Sequence, residues 1–254
     1  MIIIEDIRRR PVAALVTVCL ISLGIALGIW QLHRAQYKEN IAAALEKMQN
    51  DPPLIAGQKN WTLKEAEHHP MIAKGQYLAN QGIWLENRPH PLGRDPKTGI
   101  TVGFYLLMPL MLNQPDHTII WVNRGWVPRS FSDMTKVPDI TTPSSEVVIH
   151  GTIFDNAGKS FQLAREVKNV ASDGRPIQEN LDLVALGQRT GRMPLPFVLR
   201  QDGGDEDGLQ RLWAPPNLGV EKHLGYAFQW FALAAMSFIF WIVTGLRATR
   251  KTLR

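Results

Sequence analysis

Cysteine is almost absent from this sequence of 254 residues, in which Cys19 is the single one. One cysteine excludes an intrachain disulfide, a CxxC redox pair and a zinc or copper site built from several thiolates. The GxSxG, HExxH and GxGxxG motifs are missing as well. Without an identifiable nucleophile and base, the sequence gives no support for an enzyme.

An excess of one charge is also missing from most of the chain. The 28 Lys and Arg outnumber the 23 Asp and Glu, which gives a net charge of +5. Residues 1–10 and 247–254 hold seven of the basic residues and two of the acidic ones, so the rest of the chain is neutral. A nucleic-acid interface needs basic residues concentrated on the folded body. We therefore exclude nucleic acid as a partner.

Two polar segments lack the spacing of metal sites. His68 and His69 are adjacent, with no cysteine or carboxylate at ligand spacing, so we expect an ordinary surface pair. Residues 202–208, DGGDEDG, lack the ligand phasing and the final Glu of a calcium loop. We expect a solvated turn there.

Charged residues are absent from two long stretches, residues 11–32 and 224–246. Each stretch would be about 33–35 Å long as a helix, enough to cross the roughly 30 Å hydrocarbon core of a bilayer. The first is too long for the apolar region of a signal peptide, and no small-residue cleavage site follows Trp30. We therefore predict two transmembrane helices, 11–32 and 223–246, in contact with membrane lipid.

The basic flanks of the second stretch set the expected orientation. Four basic residues follow it within 247–254, whereas Arg211 and Lys222 precede it. Because Lys and Arg favour the cytoplasmic side, we expect the tails 1–10 and 247–254 in the cytoplasm and residues 33–222 outside. Ten residues before the first stretch are too few for an amphipathic mitochondrial presequence, so we predict a bacterial plasma (inner) membrane, with the central domain in the periplasm.

The region between the spans is predicted to be rich in strands. A helical stripe from Tyr37 to Met48 first extends the first span until Asp51 and two prolines stop it. The predicted strands, rich in β-branched and aromatic residues, cover residues 71–78, 83–87, 103–112, 117–122 and 147–154. A short helix is expected over 178–188. Because no helix separates successive strands, we predict an α+β membrane protein whose central domain is a mainly antiparallel sheet or small barrel.

Two groups of polar and aromatic residues lie where the predicted spans leave the membrane. Trp30, Arg34 and Lys38 recur at i, i+4 and i+8, with Gln31 beside them. Interfacial Trp and snorkelling cations anchor many helices, and this explanation stays open. Alternatively, the Arg34 guanidinium can pair with a carboxylate such as a haem propionate.

On the second span, His223, Tyr226 and Trp230 follow at i, i+3 and i+7 and share one face. Imidazole is an axial ligand of haem iron, and flanking aromatic rings can cover a flat macrocycle. The alternative is a histidine that only caps the span at the level of the lipid headgroups. Periodicity alone does not decide between the two.

A third group, Asn123, Arg124, Gly125 and Trp126, ends an apolar strand. Gly125 permits a tight turn, and Arg124 can stack on Trp121 or Trp126, which is a structural explanation. Docking of a partner protein is the alternative.

These residues together resemble the surfeit locus protein 1 (Shy) family of cytochrome c oxidase assembly factors. The resemblance is carried, in order, by Gly28-x-Trp30-Gln31-x-x-Arg34-x-x-x-Lys38, Pro109-Leu110, residues 122–128 (VNRGWVP) and His223-x-x-Tyr226-Ala227-x-Gln229-Trp230-Phe231. It implies a protein with two spans that helps to deliver haem a to the catalytic subunit of the oxidase, with haem a synthesis enzymes as further partners. It also implies that His223 is the haem ligand.

Other functions remain to be distinguished. A scaffold that holds an oxidase intermediate without binding haem is the main alternative. A sensor is disfavoured because a C-terminal tail of about eight residues has no room for an output domain. A membrane-anchored hydrolase lacks a recognisable catalytic pair.

Overall fold

The computed structural model describes residues 8, 10–158, 169–204, 206–214 and 218–252, without the side chains of 189 and 248–252. Most of the predicted N-terminal tail and the end of the C-terminal tail therefore lie outside the described residues. The chain divides into two compact units, Met1–Ala44 with Pro216–Arg254, and Leu45–Pro215.

The described residues form four α-helices, nine strands and one 3-10 helix. Their bounds are α1 Pro11–Gln49, β1 Leu54–Ile55, α2 Leu63–Ala66, β2 Pro70–Tyr77, the 3-10 helix Ala79–Gln81, β3 Ile83–Pro89, β4 Val102–Leu112, β5 Ile119–Pro128, β6 Val147–Phe154, β7 Asn169–Val170, β8 Pro176–Gln178, α3 Leu183–Thr190, β9 Pro194–Gln201 and α4 Val220–Thr252.

The first unit contains the two long helices. α1 continues past its apolar part to Gln49, as the helical stripe from Tyr37 to Met48 predicted. It ends just before Asp51 and the two prolines. Only 17% and 11% of the most apolar 18-residue stretches of α1 and α4 are buried. A core helix of a soluble protein would bury most of such a stretch. Length, composition and exposure therefore indicate a membrane protein.

Small residues bring α1 and α4 into close contact. Gly24, Gly28, Gln31 and Ala35 of α1 are buried at helical spacing. A Cβ atom at Gly24 would lie 3.0 Å from the Ala234 Cβ of α4. Close approach through small residues is typical of helix pairs in membranes, where the hydrophobic effect contributes little to helix association.

The second unit is a small closed barrel. β2, β6, β9, β5 and β4 pair in that order, and β4 pairs again with β2 through residues 110–112. β3, β8 and β7 extend the sheet from β4. Six of the nine pairings are antiparallel, and β1–β2, β3–β8 and β5–β9 are parallel. The prediction of a mainly antiparallel sheet or small barrel is therefore confirmed, with parallel pairs that it did not include.

Two apolar clusters fill the unit. The larger lies in the barrel and includes Phe104, Val122 and Phe197. The smaller includes Trp121, Val198 and Leu186 of α3. Because Val122 and Trp121 are consecutive on β5, their side chains point to opposite faces of the sheet, and α3 covers part of the outer face.

The structure corrects several predicted boundaries. β6 coincides with residues 147–154, but β5 runs to Pro128 instead of ending at residue 122. Gly125 therefore lies inside a strand, at a bulge, and not in a turn. The predicted helix 178–188 begins later, because Gln178 belongs to β8 and Asp182 is the N-cap of α3.

Candidate functional site

His223 lies in the first turn of α4 and contacts the buried side chain of Gln31 on α1. The distance from His223 Nδ1 to Gln31 Oε1 is 2.7 Å. Gln31 is 9% exposed, and no other polar side chain of α1 is classed as buried among the described residues. The contact therefore joins the two helices through a polar pair at an otherwise apolar seam.

This contact determines which imidazole nitrogen carries the proton. An amide oxygen only accepts hydrogen bonds, so Nδ1–H is the donor, and in a neutral imidazole of this tautomer the lone pair is on Nε2. Within the described residues, Nε2 makes no hydrogen bond or ion pair. A histidine fixed through Nδ1–H with a free Nε2 has the arrangement of a metal-ligating imidazole.

Aromatic side chains accompany His223 on α4. The helix is continuous from Val220, so His223, Tyr226 and Trp230 lie within one sector of its surface. Tyr226 is exposed and Trp230 is half-buried. Flat apolar surface is thus available beside the imidazole.

The residues predicted around Arg34 are placed differently. Trp30 is 56% exposed, and Arg34 is exposed with its guanidinium 5.3 Å from the ring centroid of Tyr37. The structure therefore brings Gln31 to His223, whereas no contact of the described residues joins Arg34 to His223. Sequence analysis placed Gln31 only beside the stripe of Trp30, Arg34 and Lys38. Its position three residues after Gly28 was the signal that it lies on the buried face of α1.

The segment from Asn123 to Trp126 is held inside the barrel unit. Buried Arg124 pairs with Asp207, with 2.9 Å between Nη2 and Oδ2, and lies over the ring of Tyr77 at 5.0 Å. The expected stacking of Arg124 on Trp121 or Trp126 is therefore wrong, because the side chain turns toward Asp207 and Tyr77.

Asp207 is a residue whose role the sequence did not reveal. It comes from the segment predicted as a solvated turn, yet its carboxylate also accepts a hydrogen bond of 2.6 Å from Arg211 Nη2. Burial raises the pKa of Asp207, but the bond and charge of Arg211 and the charge of Arg124 outweigh it and lower the pKa from 3.8. The spacing of Asp207 and Arg211 at i, i+4 was the available signal.

Gly125 and Trp126 fix the chain segment that follows Asp207. Gly125 has a φ of +146°, and its neighbour Trp126 exchanges two backbone hydrogen bonds with Gln210. Trp126 Nε1 also donates to the carbonyl of Arg88 at 3.0 Å, and the Asn123 side chain accepts from the Gly125 N–H at 3.3 Å. All four residues of the motif are thus engaged within the unit.

The histidine pair His68 and His69 lies outside the helices, and His69 is placed beside a carboxylate. His69 Nε2 lies 3.5 Å from a carboxylate oxygen of Asp51. In the part of the chain that the structure describes, no three His, Cys, Asp or Glu side chains are placed to share a metal ion.

Comparison with known proteins gives one consistent result. The model of the SURF1 family matches residues 17–235. A SURF1-like protein of Rickettsia felis is 25% identical over 236 residues, which cover 90% of this chain and 95% of the relative. Surfeit locus protein 1 of Homo sapiens is 26% identical over 237 residues, covering 88% of this chain and 74% of that protein. The match includes most of α1, all of the barrel and the first half of α4, so this chain belongs to the SURF1 family.

Proposed function

We propose that this protein is a membrane-anchored assembly factor for haem-copper cytochrome c oxidase that carries haem a to the catalytic subunit. The observation that supports it best is the His223–Gln31 contact, which leaves Nε2 of a helix-borne imidazole free to ligate iron. The earlier resemblance and the family membership point to the same role.

The residues beside His223 fit a haem cargo. Tyr226 and Trp230 offer aromatic surface to the macrocycle on the same side of α4. Gln31 holds the imidazole in one tautomer and orientation. Arg34 is exposed, and its guanidinium can form paired hydrogen bonds with a haem propionate. We therefore include this contact in the proposal.

The two helices support a membrane location. We place them across a bacterial inner membrane, with both termini in the cytoplasm and the barrel in the periplasm, because the cations of 247–254 favour the cytoplasmic side. In this arrangement the haem a synthesis enzymes and the oxidase catalytic subunit are partners within the same membrane. A role as a carrier requires no catalytic pair.

A scaffold that binds no haem is the second candidate. Phe131 is 91% exposed and Met134 is 64% exposed in the loop after β5. Large exposed apolar side chains of this kind suit contact with another protein. This feature favours docking of an oxidase intermediate, independently of His223.

The test is the haem content of the purified chain. We would express it with the haem a synthesis enzymes, purify it in detergent and record redox difference spectra of the wild type, His223→Ala and His33→Ala. His33 is an exposed histidine of α1 and serves as the matched control. We expect haem a in the wild type and in His33→Ala, and its loss in His223→Ala.

A second pair of variants tests the orientation of the imidazole. Gln31→Leu removes the acceptor for Nδ1–H, and we expect haem a affinity to fall about 10- to 100-fold, as for other residues that orient a ligand. Gln31→Glu keeps an acceptor and should retain binding. If the wild type carries no haem a but still co-purifies with the catalytic subunit, the carrier proposal is wrong and the scaffold takes its place.

A further inference from the structure

A cleft of about 320 Å³ opens on the outer face of the barrel and is lined by residues of the barrel unit. Its lining includes Arg88 of β3, Tyr105 of β4, Asn123 of β5, Phe154 of β6, Arg200 of β9 and Trp213. Asn123 pairs with Arg200 across adjacent strands, so the floor of the cleft is regular sheet. A floor of this kind holds side chains in fixed positions.

Arg88 brings a buried positive charge to the cleft. The residue is 3% exposed, and its Nη1 and Nη2 donate to the backbone carbonyls of Gly158 and Glu179. Its Nε is buried and has no hydrogen-bond partner. Burial lowers the pKa of Arg88 from its ordinary value, and the charge of Glu179 opposes this shift without reversing it.

Arg200, which is half-buried, brings a second positive charge. Its Nε is also buried without a hydrogen-bond partner. Among the described residues, neither Arg88 nor Arg200 forms an ion pair with a carboxylate. Asp202 is the acid whose charge acts on Arg200, but burial raises the pKa of Asp202 from 3.8 and so opposes its ionisation.

Aromatic rings fix the Arg200 guanidinium and supply the apolar walls. Its central carbon lies 4.0 Å from the ring centroid of Phe154 and 5.1 Å from that of Trp213. Tyr105 meets Trp213 edge-on, with 5.6 Å between ring centroids. Trp213 Nε1 in turn donates to the backbone carbonyl of Gln201 at 2.8 Å, which holds the indole in place. The guanidinium is therefore held between rings before any ligand arrives.

A buried and a half-buried cation without an ion-paired carboxylate are unfavourable unless an anion compensates them. An apolar cleft with a few convergent charged groups is typical of a small-molecule site, and its volume lies at the lower end for such sites. Guanidinium binds carboxylate through paired hydrogen bonds, and aromatic walls favour a flat apolar body.

We propose that this cleft binds a small organic carboxylate with a planar apolar body, whose carboxylate contacts Arg88 and Arg200 and whose body lies against Tyr105, Phe154 and Trp213. The site belongs to the barrel unit and is independent of the haem carrier role. It gives the barrel a ligand of its own.

Isothermal titration of the full chain in detergent tests the proposal, with 2-naphthoate as the probe. We expect saturable binding of one 2-naphthoate per chain. The neutral 2-naphthamide should bind at least about tenfold more weakly, because it lacks the charge that the arginines attract. Inorganic phosphate, an anion without an apolar body, should also bind more weakly.

Variants distinguish the cleft from detergent or surface binding. Arg200→Gln should weaken 2-naphthoate binding about tenfold or more, and Arg200→Lys should recover only part of it because the planar fork is lost. Arg94→Gln removes an exposed cation outside the cleft and should leave binding unchanged. Circular dichroism and thermal melting would verify that each variant is folded. Equal binding by folded Arg200→Gln, equal binding of 2-naphthamide, preference for phosphate, or no saturable binding would each overturn the proposal.

Discussion

Gly125 occupies a backbone position that a residue with a Cβ atom cannot take without displacing its neighbours. Its φ of +146° disfavours other residues, and an added Cβ would lie 2.8 Å from the Leu209 Cβ and 3.0 Å from the Gln210 carbonyl oxygen. The close approach lets Trp126 exchange backbone hydrogen bonds with Gln210. One missing side chain therefore keeps the segment that follows Asp207 against β5.

We expect Gly125→Ala to lower the free energy of unfolding by about 3 kcal/mol, because backbone strain adds to overpacking. Tryptophan fluorescence during urea titration of the detergent-solubilised chain measures the change. Gly93→Ala is the matched control, because Gly93 has a φ of +81° but open space around its Cβ position. Gly93→Ala should lower the free energy of unfolding by about 1 kcal/mol, which is the cost of backbone strain without overpacking. Equal losses in the two variants would show that the contact with Leu209 and Gln210 contributes nothing.

In the helix pair α1 and α4, Gly28 of α1 faces the aromatic ring of Phe231 on α4. A Cβ atom at Gly28 would lie 2.5 Å from Cε1 of Phe231. Gly28 and Gln31 are buried on the same side of α1, so the fit of Phe231 against Gly28 and the contact of His223 with Gln31 lie along one seam. Packing at the glycine thus supports the position of the polar pair.

Gly28→Ala is therefore expected to destabilise the helix pair by about 1–3 kcal/mol, although alanine favours helices over glycine. Gly225→Ala on α4, where an added Cβ meets nothing, should be neutral or stabilising by up to about 1 kcal/mol. Thermal unfolding in detergent compares the two. Combining Gly28→Ala with Phe231→Leu should restore most of the loss. A loss that persists in the double variant would place the strain somewhere other than Phe231.

The elements differ in how far the sequence predicted them. The charge-free runs predicted the long helices, and enrichment in β-branched and aromatic residues predicted β2, β3, β4 and β6. β9 was missed because Pro194 and Pro196 argue against a strand, and the structure accommodates them where the β5–β9 register shifts. The continuation of β5 through Gly125 was missed because a bulge and a turn use the same residue type.

The candidate sites were predicted unevenly for a related reason. Helical spacing predicted that His223 and its aromatic neighbours share one face, because this pattern lies within a single helix. Three other features depend on contacts between distant segments of the chain. They are the pair of His223 and Gln31, the pair of Arg124 and Asp207, and the cleft that Arg88 and Arg200 line together. No local pattern encodes such contacts, because they arise only when the helices pack and the barrel closes.

At the scale of the whole molecule, Asp207 links the stability of the barrel to pH. The carboxylate holds two buried arginines, Arg124 and Arg211, and its pKa is lowered from 3.8 in the folded state. A group with a lowered folded pKa stabilises the fold above its unfolded pKa and loses this contribution as the pH falls. The contribution of Asp207 should thus be complete above about pH 5, decline as the pH falls below 3.8, and be lost below the lowered pKa of the folded state.

Melting temperatures of the wild type and Asp207→Asn between pH 3 and 7 measure this linkage. We expect Asp207→Asn to melt lower at neutral pH, because it leaves two buried guanidiniums without a counter-ion. The difference should shrink as the pH falls below 3.8 toward the lower pKa of the folded state, where the wild-type carboxylate also becomes neutral. Asp182→Asn, which alters the exposed N-cap of α3, is the control. A difference that does not change with pH would mean that the carboxylate charge is unimportant.

The position of β9 in the barrel has a consequence for biosynthesis. β9 is the last of the five barrel strands along the chain, yet it lies between β6 and β5 and pairs with both. The ring therefore cannot close until residue 201 has emerged from the ribosome. Until then, the facing edges of β5 and β6 are unpaired and open to other strands. A nascent chain of this protein should depend most on chaperones in the interval between the synthesis of β6 and that of β9.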